Sequence, residues 1–283
     1  MTSIIRFYTK KIIKFVCLLF DFYIYRHSSY EYILTRNLPK SQTNFQSQNV
    51  IQGLGLLTNI HFKEFLLNNL NLLSQGLEIA KIEYLLRGQR GGFFVEFGAC
   101  DGLHFSNTLH LEKDLGWRGI LVEPNKSYFR SLKKNRNVAL DDRAVWTETG
   151  LYIDFTEVSA GGLSGFTKSF RSSESLQKRT KIGAISYKVK TISLNDLLES
   201  YKCPYRFDFL SIDTEGSELE ILKKFDFYKY SPKIIVIEFY GSEEARFIHE
   251  FVTSFGYRQV VFSSIKEDNL WFVNDSYFDQ EIK

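Results

Sequence analysis

The spacing of apolar positions changes near residue 93. From His61 to Arg87 apolar residues recur at three and four (Phe62, Phe65, Leu66, Leu70, then Leu77, Ile79, Ile82, Leu85, Leu86), which predicts two helices separated near Ser74–Gly76. From Phe93 onward, short apolar runs alternate with amphipathic stretches. Strands are predicted at Phe93–Phe97, Gly119–Val122, Val138–Leu140, Leu151–Phe155, Tyr187–Thr191, Phe207–Ile212 and Lys233–Ile237. Helices are predicted over Ser106–Leu115, Ser127–Lys134, from an N-cap at Ser193 to Ser200, over Ser217–Phe225 and over Glu243–Phe255. Ser217 and Glu220 have the spacing of a capping box. The closing strands, Arg258–Phe262 and Asn269–Val273, are too close for a crossover helix and must pair antiparallel. Continuous apolar strands alternating with helices call for a parallel sheet covered on both faces. The expected fold is therefore α/β: a Rossmann-like, doubly wound, mostly parallel seven-stranded sheet with an antiparallel closing strand, plus an N-terminal helical extension.

Composition adds boundaries. A chain of 283 residues can bury a substantial core, and 44% hydrophobic with 24% charged residues is ordinary for a globular protein. The net charge of +3, with scattered Lys and Arg, gives no reason to expect nucleic acid as a partner. Cys17, Cys100 and Cys203 are odd in number and far apart, so neither a disulfide framework nor a zinc site is expected, and a reducing, cytoplasmic compartment fits. Residues 1–60 read as an extension and connector, polar around NLPKSQTNFQSQN, and 61–90 as a helical lead-in to a main domain over 91–283. In the first segment, MTSIIRFYTKKIIKFVCLLFDFYIYRH, the longest uncharged run is Phe15–Phe20, far short of the ~20 apolar residues a membrane span needs. It suits a helix packed on the domain or on a partner subunit; its basic residues among Ile, Phe and Tyr also suit peripheral contact with a membrane surface. Ser159–Lys181 has no period and is rich in Gly, Ser, Lys and Arg, which predicts a long loop able to act as a lid.

The candidate chemistry lies where the strands end. In a doubly wound sheet ligands bind outside the carboxyl ends of the strands. Those ends deliver Glu96, Gly98, Asp101 and Gly102; then Glu123-Pro124; Asp141-Asp142; Asp213 and Glu215-Gly216; and Glu238. An acid at the end of the second strand holds ribose hydroxyls in nucleotide-binding sheets, and here Glu123 stands 21 residues after Gly102. A nicotinamide dinucleotide would want a GxGxxG turn for its pyrophosphate. This chain has GACDG instead, with Asp101 where a phosphate would be repelled. S-adenosylmethionine carries no phosphate and bears an ammonium and a sulfonium, which suit Glu96 and Asp101 beside bare backbone.

The segments EFGACDG, SNTLHLEKDLGWRGILVEPN, DDRAVW and FDFLSIDTEGSELEILKKF resemble the FkbM family of S-adenosylmethionine-dependent methyltransferases, over about Phe93 to Tyr240. The resemblance implies a methyltransferase domain over 91–283, with Glu96, Gly98, Asp101 and Gly102 along the methionine part of the cofactor. It also implies Glu123 on the ribose and Asp142 near the adenine. Cys100 departs from the small polar residue, often Asn, common at that position in the family.

Methyl transfer to oxygen needs in-line positioning and a group to remove the hydroxyl proton. Asp213 is the first candidate base and Glu215 the second. With Glu238, the same carboxylates could instead converge on a divalent cation. Asn107 is either a ligand contact or a helix cap; His104 reads as a loop group ahead of a base, Glu112 and Lys113 as helix-surface groups, Glu218 and Glu220 as solvated helix-face or capping groups, and Gly116, Trp117 and Gly119 as turn-shaping residues. The expected activity is methylation of a hydroxyl on a small-molecule, sugar or glycan acceptor. An NAD-type oxidoreductase and a non-catalytic methyltransferase-like binding domain are the competing readings.

Overall fold

The computed structural model describes residues 59–68, 77–104, 106–158, 165–166, 184–262 and 269–277. The N-terminal address segment and most of the Ser159–Lys181 lid expectation lie outside these residues. The chain divides into two compact units, Met1–Gln89 with Val261–Glu267, and Arg90–Val260 with Asp268–Lys283.

In the first unit, α1 (Ile60–Asn68) and α2 (Leu77–Leu86) follow the apolar periodicity. Asn59 caps α1, its Oδ1 accepting the Phe62 N–H at 2.9 Å. Phe62 and Leu66 are fully buried, and the Phe62 ring meets Phe262 at 4.7 Å and Tyr84 at 5.3 Å between centroids. Lys81 is also buried, with its Nζ 3.7 Å from Glu78 and 5.4 Å from the centre of the Phe262 ring.

The second unit contains β1 (Phe93–Phe97), α3 (Leu109–Lys113), β2 (Arg118–Val122), α4 (Lys126–Asn135), β3 (Ala139–Asp141), β4 (Ala144–Trp146), β5 (Tyr152–Val158), β6 (Gly165–Phe166) and β7 (Ala184–Ser193). There follow α5 (Leu194–Ser200), β8 (Phe209–Ile212), α6 (Glu218–Lys224), β9 (Ile234–Glu238), α7 (Ser242–Thr253), β10 (Tyr257–Val260) and β11 (Asn269–Asn274). Seven strands form one sheet in the order β10-β11-β9-β8-β1-β2-β3. β1 pairs parallel with β2 and β8, and β8 with β9, while β11 runs antiparallel to both β9 and β10. This is the doubly wound sheet with an antiparallel closing strand that the apolar runs predict. Phe94, Val95, Ile120, Leu121, Leu210 and Ile235 are wholly shielded from solvent, as strands covered on both faces require.

Several local expectations are corrected. β4, β5, β6 and β7 form a separate four-stranded sheet in the order β4-β7-β5-β6, so Gly165–Phe166 is a strand inside the predicted loop. The helix expected over Ser106–Leu115 is confined to Leu109–Lys113, because Ser106, Asn107 and Thr108 turn their donors onto Glu96 instead. The Ser217/Glu220 capping box does not form. Ser217 donates to the Thr214 hydroxyl and Glu220 pairs with Lys223, while the buried Glu218 carboxylate accepts the N–H groups of Thr214 and Gly216. Ser193 does cap α5, its Oγ accepting from the Asp196 N–H at 3.1 Å.

Glycine packing explains two close approaches. A Cβ on Gly119 would fall 2.3 Å from the Phe94 ring, and one on Gly92 would fall 2.7 Å from the Trp117 ring. Bare backbone at both positions leaves room for the buried Phe94 and Trp117 rings against the paired strands.

Candidate active site

In the seven-stranded sheet the winding reverses between β1 and β8, and a cleft opens outside their carboxyl ends. Gly98 and Cys100 line it after β1, Glu123 and Pro124 after β2, and Asp213, Thr214 and Glu215 after β8. Tyr128 of α4, Ala144 and Val145 of β4, and Phe155 of β5 supply an apolar wall. Those four were not singled out in the sequence. Their only local signals are the apolar AVW after Asp142-Arg143 and the apolar alternation entering β5.

The turn after β1 is strained and tightly tied. Gly98 has φ +75° and Cys100 φ +48°, left-handed conformations that cost a non-glycine residue free energy. A Cβ on Gly98 would lie 2.2 Å from the Asp213 carbonyl oxygen, so this glycine admits the neighbouring β8 turn. A Cβ on Gly102 would lie 2.5 Å from both Arg136 and Leu132, so that glycine admits the end of α4.

Glu123 is buried, and its two oxygens accept the backbone N–H groups of Cys100 and Asn125, each at 2.8 Å. Burial pushes its carboxyl up to about 7, against the pull of those two N–H donors. Asn125 in turn caps α4, accepting from the Ser127 and Tyr128 N–H groups. One short segment thus builds the turn, the helix start and the cleft wall.

Glu96 and Asp101 are placed differently. Glu96 is 1% exposed, and its carboxylate accepts from Ser106 Oγ (2.9 Å), Asn107 N (2.7 Å) and Thr108 Oγ1 (2.6 Å). Burial raises its pKa, opposed by Arg136. Asp101 accepts from the N–H groups of Leu103 and His104 and pairs with the His104 ring. Neither carboxylate lines the cleft, nor does Gly102, and Asp142 is exposed beyond the end of β3. Its neighbour Asp141 is buried and binds the Arg143 guanidinium. Asn107 joins two elements, its Nδ2 donating to Ser211 Oγ of β8 at 3.0 Å.

At the other side of the cleft, Asp213, Glu215 and Glu238 bring one carboxylate oxygen each within 4.8 Å of one another. The Tyr240 hydroxyl lies 2.9 Å from Glu215 and 2.7 Å from Glu238. Burial, then Glu238 and Glu215, raise Asp213 well above the usual carboxylate range. A hard, all-oxygen donor set of this kind could hold a divalent cation. Cys100 is a poor nucleophile: burial and the surrounding carboxylates push its thiol up. Burial alone does the same at Cys203, to about 12.

The described residues that line the cleft include three carboxylates and no lysine or arginine. Such a lining offers a pyrophosphate no cationic side chain among the described residues, and a cationic, phosphate-free ligand with hydroxyls would suit these carboxyls by favouring their ionised forms. Among the described residues, no helix is long and apolar enough to cross a membrane.

The model of the methyltransferase FkbM domain matches residues 96–259, more than half of the chain. No curated protein sequence matches it significantly. Among solved structures it is similar to the methyltransferase FkbM from Methylobacillus flagellatus KT (14% identity, 81% of this chain and 58% of that one, TM-score 0.43). It is also similar to a precorrin-6y C5,15-methyltransferase from Geobacter metallireducens GS-15 (14%, 70% and 86%, TM-score 0.37) and to a methyltransferase from Pyrococcus furiosus (14%, 69% and 82%, TM-score 0.36). The chain thus spans less than two thirds of the Methylobacillus protein. Identity this low says nothing of substrate. The family match spans every residue that lines the cleft and the carboxylates Asp213, Glu215 and Glu238, and the chain belongs to the FkbM family of methyltransferases.

Proposed function

We propose that this protein transfers a methyl group from S-adenosylmethionine to a hydroxyl oxygen of a small-molecule, sugar or glycan acceptor. The observation that carries the reading is the cleft at the β1/β8 reversal, with Glu123 at one side, Asp213 and Glu215 at the other, and no cationic side chain among the described residues that line it. Glu123 would hold ribose hydroxyls, the apolar wall of Val145 and Phe155 would suit a purine, and the carboxylates beyond β8 would face positive charge. When bound, S-adenosylmethionine supplies a methyl group activated by its sulfonium.

Asp213 is the residue we assign to remove the acceptor's proton. Burial, and then crowding by Glu238 and Glu215, raises its proton affinity, which makes its ionised form a stronger base than an exposed aspartate. Glu215, which accepts from Tyr240, is the second candidate. Glu96 and Asp101, bonded within their own loop, would serve by shaping the backbone around the cofactor.

Incubating fractions of a cell extract with methyl-labelled S-adenosylmethionine and the protein tests the reading. Label should pass to a hydroxyl-bearing molecule with the wild type and fall by ~10²–10⁴ in rate with Asp213→Asn. Label appearing only on nitrogen or carbon would overturn the oxygen assignment.

A further inference from the structure

We infer that Arg136 is a positioning residue that sets the shape of the cofactor turn from behind, through Ser106, Thr108 and Glu96. The inference rests on the proposal that the cleft takes S-adenosylmethionine.

Arg136 follows α4 directly, and its guanidinium-bearing side chain is wholly buried. Each of its nitrogens has an assignment. Nε donates to Glu112 Oε2 at 2.5 Å. Nη1 donates to the Gly102 carbonyl (3.1 Å) and to Ser106 Oγ (2.7 Å), and Nη2 donates to Thr108 Oγ1 (3.0 Å). The two hydroxyls that accept from Arg136 donate in turn to the same Glu96 oxygen. A hydroxyl has one proton; here both protons point at the carboxylate, so the guanidinium and the carboxylate are bridged twice with fixed polarity. A lysine carries its three donors on one compact ammonium, which cannot span the separated acceptors that the planar fork of the guanidinium reaches together.

The grip falls on the strained part of the turn. Asn135, the last residue of α4, donates to the Asp101 carbonyl at 2.7 Å, and Arg136 takes the next carbonyl, Gly102. These two peptides follow Cys100, whose left-handed backbone aims its N–H at Glu123. The same helix starts at Asn125, which donates its backbone N–H to the other Glu123 oxygen. α4 therefore holds Glu123 at its first turn and the strained turn at its last. Conformations held in left-handed φ persist only when their surroundings over-determine them. Loosening Arg136 should let the turn relax and move the Cys100 N–H off Glu123, without any residue in the cleft having changed.

Hydrogen exchange and calorimetric titration with S-adenosylmethionine, on the wild type, Arg136→Lys and Ser106→Ala, test this. The expected result is faster amide exchange in the free Arg136→Lys protein, confined to Gly98–His104 and Ser106–Thr108, with β8 and β9 protected as in the wild type. Cofactor affinity should fall roughly tenfold to a hundredfold, the scale of a lost hydrogen bond to a charged group. Ser106→Ala, which removes one bridge and keeps the charges, should move both readouts in the same direction by less. If Arg136→Lys does not fold, Ser106→Ala decides alone. Unchanged local exchange and affinity in a folded variant, or faster exchange spread over the whole sheet, would overturn the positioning role. A wild type that fails to bind S-adenosylmethionine would refute the cofactor reading; the exchange pattern of the free proteins would still support or overturn the role of Arg136.

Discussion

The carboxylate of Glu123 accepts the backbone N–H of Cys100 at 2.8 Å, tying the end of β2 to the strained turn after β1. Its other oxygen accepts the Asn125 N–H, so a single buried side chain satisfies two backbone donors and faces the cleft. Glu123→Ala should therefore weaken S-adenosylmethionine binding by roughly 1.5–3 kcal/mol. Glu123→Gln keeps one acceptor and turns an amide donor toward the other N–H, so it should bind only slightly better than the alanine variant. Titration calorimetry checks both, and wild-type affinity in either would remove Glu123 from the site.

Gly98 approaches the Asp213 carbonyl so closely that even a methyl group would sit 2.2 Å from it. Gly98→Ala should thus destabilise the fold by more than about 1 kcal/mol, since it adds a clash to a left-handed φ. Denaturant unfolding measures this, and a stability equal to wild type would mean the β8 turn moves aside freely.

The buried carboxyls should make stability depend on pH. Burial pushes Glu123 and Glu218 from near 4.5 up to about 7. The unfolded chain releases these protons near pH 4.5, whereas the folded protein keeps them to about pH 7. Between those values the folded state binds more protons, so this contribution to stability is complete below about 4.5 and is lost as pH rises through 7. The free protein should melt at a higher temperature at about pH 5.5 than at about pH 8, and Glu218→Gln should reduce the difference. Melting scans that show no change in that difference for either Glu218→Gln or Glu123→Gln would contradict the burial argument.

Asp213 separates three roles in one variant. As the base, Asp213→Asn should lower turnover by ~10²–10⁴ while leaving cofactor affinity nearly unchanged. If Asp213, Glu215 and Glu238 hold a divalent cation, a chelator should silence the wild type and added Mg²⁺ or Mn²⁺ should partly rescue the variant. A purely structural role would lower the melting temperature and both functions together. Turnover near wild type would move the proton-accepting role to Glu215.

Much of this is legible in the sequence. The runs at Phe93–Phe97, Gly119–Val122, Phe207–Ile212 and Lys233–Ile237 read as buried parallel strands because both faces are covered, and the strands lie within a residue or two of them. Glu123, Asp213, Glu215 and Gly98 were legible too, since a strand's carboxyl end places them by rule, and they do line one cleft. The second sheet was not. β4 has three residues and pairs with β7 more than forty positions later, a contact no local period encodes. Helix-cap logic also chose the wrong pair: Ser217 and Glu220 match a local pattern, but the carboxylate that accepts the Thr214 and Gly216 N–H groups is that of Glu218, drawn inward by tertiary burial. Glu96 and Asp101 show the same limit: an acid at a strand end is visible in sequence, but the hydroxyls and N–H groups that occupy it come from the way the loop folds back. Arg136 carries no sequence signal beyond following an amphipathic helix.

The most direct test of the account is calorimetric titration of the wild-type protein with S-adenosylmethionine and, separately, with NAD. A cleft lined by Glu123, Asp213 and Glu215, with no lysine or arginine among the described residues of its lining, should bind S-adenosylmethionine saturably at one site per chain and give no response to NAD. Saturable binding of NAD with silence toward S-adenosylmethionine would contradict the central claim.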